Sequence, residues 1–108
     1  MRTIIALGSN HNQEENISKA QTLLKQRFKN VKFSDRRWTE PIGITSDKFL
    51  NCIGTLETEL SLTQVIQCLK EIEQTMGDSH ENHQKGKVLI DIDLAQYGEK
   101  IVKEIIWM

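Results

Sequence analysis

Proline, cysteine and aromatic residues are scarce in this sequence. Among its 108 residues there are one proline, two cysteines and 6% aromatic side chains. With 38% hydrophobic and 27% charged residues the composition is otherwise that of an ordinary globular protein, which excludes an extensively disordered chain. Cys52 and Cys68 show no spacing typical of metal ligands, so we interpret them as thiols of the core in a reducing compartment.

An excess of charge of one sign is also absent. The 14 basic and 15 acidic side chains leave a net charge of −1, which argues against a nucleic-acid binder held by broad phosphate electrostatics. An anionic ligand must therefore be bound locally, by a metal or a few cations.

Long hydrophobic runs are missing as well. The apolar run near the amino terminus is too short for a signal peptide, and no stretch approaches the roughly 20 apolar residues of a membrane helix. We expect one cytoplasmic domain over residues 1–108 with no membrane or nucleic-acid partner.

The first half of the chain alternates between strand and helix patterns. The apolar run "TIIAL" (3–7) predicts a strand, and Asn12 with Glu15 resembles a capping box that opens a helix ending near Phe28. The segment 31–40 predicts a second strand with Trp38 turned inward, and 49–60 a third strand that pairs with it and buries Leu50 on one side.

The second half contains one more helix and one more strand. Ser61 and Gln64 form a capping box before an apolar stripe that ends at Gly77. A polar loop (78–87), a strand "VLIDIDLAQYG" (88–98) and a final segment "KIVKEIIWM" follow. The order β-α-β-β-α-β predicts an α+β, ferredoxin-like sandwich, an antiparallel sheet with two helices on one face and the other face open.

Two aspartates interrupt the last predicted strand. Asp91 and Asp93 lie two residues apart and so share one face of the strand, with Cα atoms roughly 7 Å apart. One interpretation is an ordinary polar face of a half-exposed strand. The other is a site for a hard cation such as Mg²⁺, because aspartate is depleted in strands and paired like charges repel.

Four segments in order resemble the hydroxymethyl-dihydropterin pyrophosphokinase family. They are "IALGSN", "WTEPIG" before "DKFLN", "CLKEIEQTMG" and "IDIDLAQYG". Members of this family of folate synthesis transfer pyrophosphate from ATP to a pterin alcohol, and their core is ferredoxin-like. The resemblance therefore implies a transferase that binds ATP and a pterin.

The resemblance also implies roles for individual residues. Asp91 and Asp93 match the catalytic pair that binds two Mg²⁺ ions bridging the ATP phosphates, and Asp91 also lies near the pterin. Residues on the nucleotide side are Glu73, Lys85 and Lys87. The pterin pocket is matched by Thr39, Pro41, Ile42, Phe49 and Asn51, with Phe49 stacking on the ring and Asn51 bonded to its edge.

The sequence departs from the family near the aspartates. The family has an arginine after the glycine matched by Gly77 and then a W-G-P-R-T-[LI]-D run, whereas this chain has Asp78 and "KGKVLID". Ungapped alignment puts Lys85 at the tryptophan and Val88 at the arginine, and Lys87 substitutes for that arginine if the loop shifts. Family members also continue past the position of Met108, so we expect a short form.

Two functions remain open on these residues. The first is a pterin pyrophosphokinase, and the second is a non-catalytic descendant that keeps the fold as a binding or assembly module. The apolar end "IIWM" either completes the sheet edge or covers a neighbouring subunit in a homo-oligomer. His80 and His83 lack a third ligand of clear spacing, which favours a solvated loop over a zinc site.

Overall fold

The computed structural model describes residues 1–40, 48–78 and 86–105. These residues contain two α-helices and six strands. Their order is β1 (Arg2–Ser9), α1 (Gln13–Arg27), β2 (Lys32–Phe33), β3 (Arg37–Thr39), β4 (Phe49–Glu57), α2 (Leu62–Thr75), β5 (Asp91–Tyr97) and β6 (Lys100–Ile101).

The strands form one antiparallel sheet with β1 at its centre. The order across the sheet is β2-β4-β1-β5-β6, and β3 pairs with β4 beside β2. The α+β, ferredoxin-like fold predicted from the order of the elements is thereby confirmed.

One hydrophobic layer lies between the sheet and the two helices. Alternate residues of the strands, such as Ile5, Leu50 and Ile92, pack against Leu24 of α1 and Leu69 of α2 in a single cluster. Successive residues of a strand point to opposite faces, so the residues between these core positions lie on the face that the helices leave open. Cys52 and Cys68 are free and buried, as expected.

The predicted second strand is wrong in its length. Residues 31–40 form two short strands, β2 and β3, which pair with successive parts of β4. Between them Ser34 donates its N–H to the carbonyl of Ile53 and accepts the N–H of Ile53 at its hydroxyl, at 2.8 and 2.9 Å. This side-chain bond interrupts the ladder. Trp38, expected to point inward, is 52% exposed because it lies at the sheet edge.

The two helix starts differ. Ser61 and Gln64 form the predicted reciprocal capping box of α2. The capping box predicted at Asn12 is wrong, because Asn12 adopts a left-handed conformation with φ 45° and makes no side-chain cap bond. A left-handed residue directs its side chain away from the first turn of the helix.

Up to residue 105, the final segment contributes less strand than expected. Only Lys100–Ile101 pairs with β5, at Gln96 and Tyr97, and residues 106–108 of the predicted final segment lie outside the described residues. Within the described ranges, neither helix has the length and hydropathy that a bilayer crossing requires.

Candidate functional site

A row of four residues crosses the open face of the sheet. Asp91 on β5 is paired with Gly8 on β1, Gly8 with Asn51 on β4, and Asn51 with Arg37 on β3. Residues directly opposite each other in adjacent strands point to the same face. The next row places Asp93 beside Ala6, so both aspartates lie on the open face, as the alternation of the strand predicts.

Gly8 is the residue of this row that has no side chain. A Cβ atom built on Gly8 would lie 2.8 Å from Asn51 Oδ1 and 3.6 Å from Phe49 Cδ1. Real Cβ atoms do not approach an oxygen that closely, so glycine is required for Asn51 and Phe49 to lie over β1. Gly8 was not among the predicted site residues, although a glycine inside a strand pattern signals such a close approach.

Asn51 is held in place by β3. It is only 5% exposed, and its amide Nδ2 donates to Thr39 Oγ1 at 2.6 Å. Of the residues predicted for a pterin pocket, Thr39, Phe49 and Asn51 therefore lie together at one end of β3 and β4. Pro41 and Ile42 lie outside the described residues.

The pKa of Asp91 is raised to about 7. Burial is the main cause, and the negative charge of Asp93, a hydrogen bond with Asp93 and the charge of Glu73 add to it, while Lys103 opposes it. Each of the first four disfavours the ionised carboxylate. Full ionisation of both aspartates is therefore unfavourable without a cation. A cation bound between them would stabilise the ionised form of Asp91.

Glu73 of α2 reaches the edge of the sheet. Its Oε2 accepts the backbone N–H of Ile92 at 2.7 Å. This bond joins α2 to the part of β5 with which the short strand β6 does not pair. The residue predicted on the nucleotide side thus also closes an edge of the sheet next to Asp91.

Asp93 forms an ion pair that the sequence analysis did not anticipate. Lys103 Nζ lies 2.9 Å from Asp93 Oδ2, with the lysine side chain 60% and the aspartate side chain 33% exposed. Asp93 and Asp91 in turn raise the pKa of the Lys103 ammonium, chiefly through the hydrogen bond to Asp93.

An open groove of about 320 Å³ runs beside the two aspartates. Lysines, acidic residues and apolar residues share its walls, which consist of Ile66, Leu69, Lys70, Glu73, Asp91, Ile92, Asp93, Leu94, Val102 and Lys103. Its volume is at the lower end of the range for small-molecule sites. Both aspartates are thus lining residues of an open groove.

Asn10 fixes the segment that leads into β5. Its Oδ1 accepts the N–H of Val88 at 2.6 Å, and its Nδ2 donates to the carbonyl of Gly86 at 2.7 Å. Lys87, one of the predicted nucleotide-side residues, lies exposed between these two bonds. Lys85, another, lies outside the described residues, as do His80 and His83.

Asp78 has a structural contact at the position where a family arginine was noted. Its Oδ1 accepts the backbone N–H of Leu89 at 3.1 Å. The acidic side chain thus holds the residues before β5 against the end of α2.

The donor set fits a Mg²⁺ ion that is shared with phosphates. Within the described residues no three His, Cys, Asp or Glu side chains converge as a metal site. Mg²⁺ commonly takes only one or two carboxylates and completes its shell with water and phosphate oxygens. Asp91 and Asp93 supply that number, and a divalent cation would relieve the repulsion that raises the pKa of Asp91.

Comparisons with known proteins agree on one family. The model of the family described as 7,8-dihydro-6-hydroxymethylpterin-pyrophosphokinase matches residues 4–106. A folate synthesis bifunctional protein of Arabidopsis thaliana is 33% identical over 105 residues, which cover 94% of this chain. The chain spans 22% of the length of that relative.

Proposed function

Since this chain belongs to the 7,8-dihydro-6-hydroxymethylpterin-pyrophosphokinase family, we propose that it transfers pyrophosphate from ATP to a hydroxymethyl-dihydropterin in folate synthesis. The pterin hydroxyl oxygen attacks the β-phosphorus, the bond between that phosphorus and the α-bridging oxygen breaks, and AMP leaves. The hydroxyl proton passes to water.

The row of Asp91, Gly8 and Asn51 on one face of the sheet is the observation that carries this proposal. In this proposal, groups that bind the pterin lie beside groups that bind the metal-bound phosphates. Asn51 and Phe49 offer an amide and a ring for a flat heterocycle, and Asp91 and Asp93 offer carboxylates to a metal-bound phosphate. The glycine between them lets the Asn51 amide and the Phe49 ring approach β1.

On the phosphate side, Asp91 and Asp93 would hold Mg²⁺. When bound, the ion neutralises charge on the transferred phosphates and orients them for in-line attack. The protein's own residues position the reactants, which is the main contribution of an enzyme to phosphoryl transfer. Glu73 borders the groove on the nucleotide side, and exposed Lys87 supplies a cation near the entry to β5.

On the pterin side, the polar groups are already ordered. The bond from Asn51 to Thr39 fixes the amide in one orientation, so little conformational entropy is lost when it pairs with a heterocycle edge. Phe49 lies over Gly8 and presents a ring for stacking. Pro41 and Ile42 stay predicted pocket residues on the resemblance.

One observation favours the second candidate, a non-catalytic binding or assembly module. Lys103 neutralises Asp93 at 2.9 Å, a contact that would give the second aspartate a purely structural partner. The two candidates differ in whether the wild-type chain releases AMP at all.

A turnover assay tests the proposal. AMP release is measured with ATP, Mg²⁺ and hydroxymethyl-dihydropterin for the wild-type chain, Asp91→Asn and Asp93→Asn. We expect release by the wild-type chain and a loss of a hundredfold or more in each variant, since removing one charge-stabilising group of a reaction site typically costs about that much.

Asp35→Asn is the matched control, because Asp35 lies in the segment between β2 and β3, away from the groove beside β5. It loses the same charge and should retain full turnover. Absence of AMP release by the wild-type chain, together with absence of pterin binding by calorimetry, would contradict the proposal and support the module.

A further inference from the structure

Lys103 lies within direct bonding distance of the carboxylate pair. Its ammonium is 2.9 Å from Asp93 Oδ2 and interacts electrostatically with Asp91 as well. The contact is made on the open face, where a divalent cation shared by Asp91 and Asp93 would lie. Lys103 thus presents one positive charge to the same two carboxylates.

The backbone holds this lysine close to β5. The N–H groups of Val102 and Lys103 both donate to the carbonyl of Ala95, at 2.9 and 3.1 Å. The Cα atom of Lys103 is therefore anchored two residues along β5 from Asp93, and only the side chain has freedom to leave. A tethered ammonium has a high effective concentration at such a site.

The other charged groups around the groove do not replace this contact. Glu73 and Lys70 of α2 line the same groove. Glu73 bonds to the backbone of Ile92, and among the described residues no ion pair joins Lys70 to either aspartate. Lys103 is thus the lysine of this groove that is paired with the carboxylates.

We propose that the Lys103 ammonium takes the place of one of the two Mg²⁺ ions implied by the family resemblance, so that this chain binds a single divalent cation with its nucleotide. The ion pair occupies Asp93 Oδ2, an oxygen that a second divalent ion would need as a ligand. The proposal rests on the proposed function in taking ATP as the bound nucleotide.

Counting bound Mn²⁺ tests the proposal without turnover. Free Mn²⁺ is measured by electron paramagnetic resonance in the presence of saturating α,β-methylene-ATP, whose bridging carbon prevents pyrophosphate transfer. We expect one Mn²⁺ in all per ternary complex of the wild-type chain, including the ion that the nucleotide analogue carries. A protein-free titration at the same concentrations gives the number of ions that the analogue holds alone. We expect two in Lys103→Gln.

Two further variants control the count. Lys103→Arg keeps the charge and should bind one ion, and Lys70→Gln loses a lysine of the same groove without breaking the ion pair and should also bind one. Two ions in the wild-type chain, or one or none in Lys103→Gln with its fold intact by circular dichroism, would overturn the proposal.

The count is separable from the pyrophosphokinase proposal. A wild-type chain that turns over and holds two ions overturns only the single-ion inference. A chain that holds one ion but releases no AMP overturns the proposed activity and leaves the role of Lys103 in place. If Lys103→Gln does not fold, the wild-type count alone tests the single-ion proposal.

Discussion

Gly8 is the residue whose lack of a side chain shapes the open face. In Gly8→Ala the new methyl group would lie 2.8 Å from Asn51 Oδ1, so the Asn51 amide must move and its bond to Thr39 is disturbed. We expect pterin affinity to fall about tenfold or more, equivalent to about 1.4 kcal/mol. Calorimetry with hydroxymethyl-dihydropterin measures the change.

Gly54→Ala is the matched control on the other face of the sheet. Its Cβ would lie 2.9 Å from Ile5 Cγ1 and 3.0 Å from Phe33, which overpacks the core and should lower the free energy of unfolding by about 1–3 kcal/mol. Pterin affinity of the folded protein should be unchanged. Equal pterin affinity in Gly8→Ala and the wild-type chain would contradict the assignment of this face.

Asp91 makes the stability of the metal-free chain depend on pH. Its pKa is 3.8 in the reference state and about 7 in the fold, so between these values the native state binds more protons than the unfolded state. The free energy of unfolding then falls as pH rises from about 4 to about 7. At about 1.4 kcal/mol per pKa unit the ceiling of this loss is about 4 kcal/mol.

Urea unfolding at about pH 4.5 and about pH 8 measures this loss. Asp91→Asn should show a smaller fall between the two pH values than the wild-type chain, and Asp35→Asn should show the wild-type fall. An equal change in the free energy of unfolding in the wild-type chain and in Asp91→Asn would show that Asp91 does not cause the fall. A wild-type free energy of unfolding that rises over this interval would also contradict the prediction.

At the scale of elements, α2 depends on its capping box. Ser61 Oγ accepts the N–H of Gln64, and Gln64 Oε1 accepts the N–H of Ser61, at 3.2 and 2.9 Å. Ser61→Ala leaves an N–H at the helix start without its partner and should lower the free energy of unfolding by about 1 kcal/mol. Thermal or urea unfolding measures it.

The start of α1 offers the contrasting variant. Asn12 lies in the left-handed region and makes no side-chain cap bond, and glycine adopts that region without penalty. Asn12→Gly should therefore preserve or raise stability. A loss in Asn12→Gly as large as that in Ser61→Ala would mean that Asn12 caps α1 in solution after all.

These elements also show which local structure a sequence reveals. The 3.6-residue period of α2 and the alternation of β4 reflect burial on one face, so both were predictable. The capping-box pattern fits Asn12 and Ser61 equally, but only backbone dihedral angles decide whether the side chain reaches the helix. The break between β2 and β3 depends on a bond from Ser34 to β4, which local pattern does not encode.

At the scale of the whole molecule, the sheet should differ in stability from centre to edge. β1 pairs with β4 on one side and β5 on the other, while β2, β3 and β6 are two or three residues long and lie at the edges. In hydrogen exchange we expect the slowest amides in β1 and the fastest strand amides in β2, β3 and β6. Faster exchange in β1 than in β6 would contradict this order.

The candidate site was predictable to the extent that its residues share a strand. Alternation in β5 places Asp91 and Asp93 on one face, and the family resemblance names Asn51 and Phe49. The contributions of Gly8 and Lys103 depend on pairing register and on the return of the chain beside β5 after β6. Contacts of this kind join residues that are distant in sequence or lie on different strands. The periodicity of apolar residues along the sequence therefore does not predict them.

The short edge strands have a consequence for contacts between copies of the chain. A long, flat, uncharged edge is a template on which another molecule can add a strand, the first step toward aggregation. Here the edge strands carry Lys32, Arg37 and Lys100, so two chains that approach edge to edge bring like charges together along only a few residues. The ends of the sheet thus discourage fibril growth.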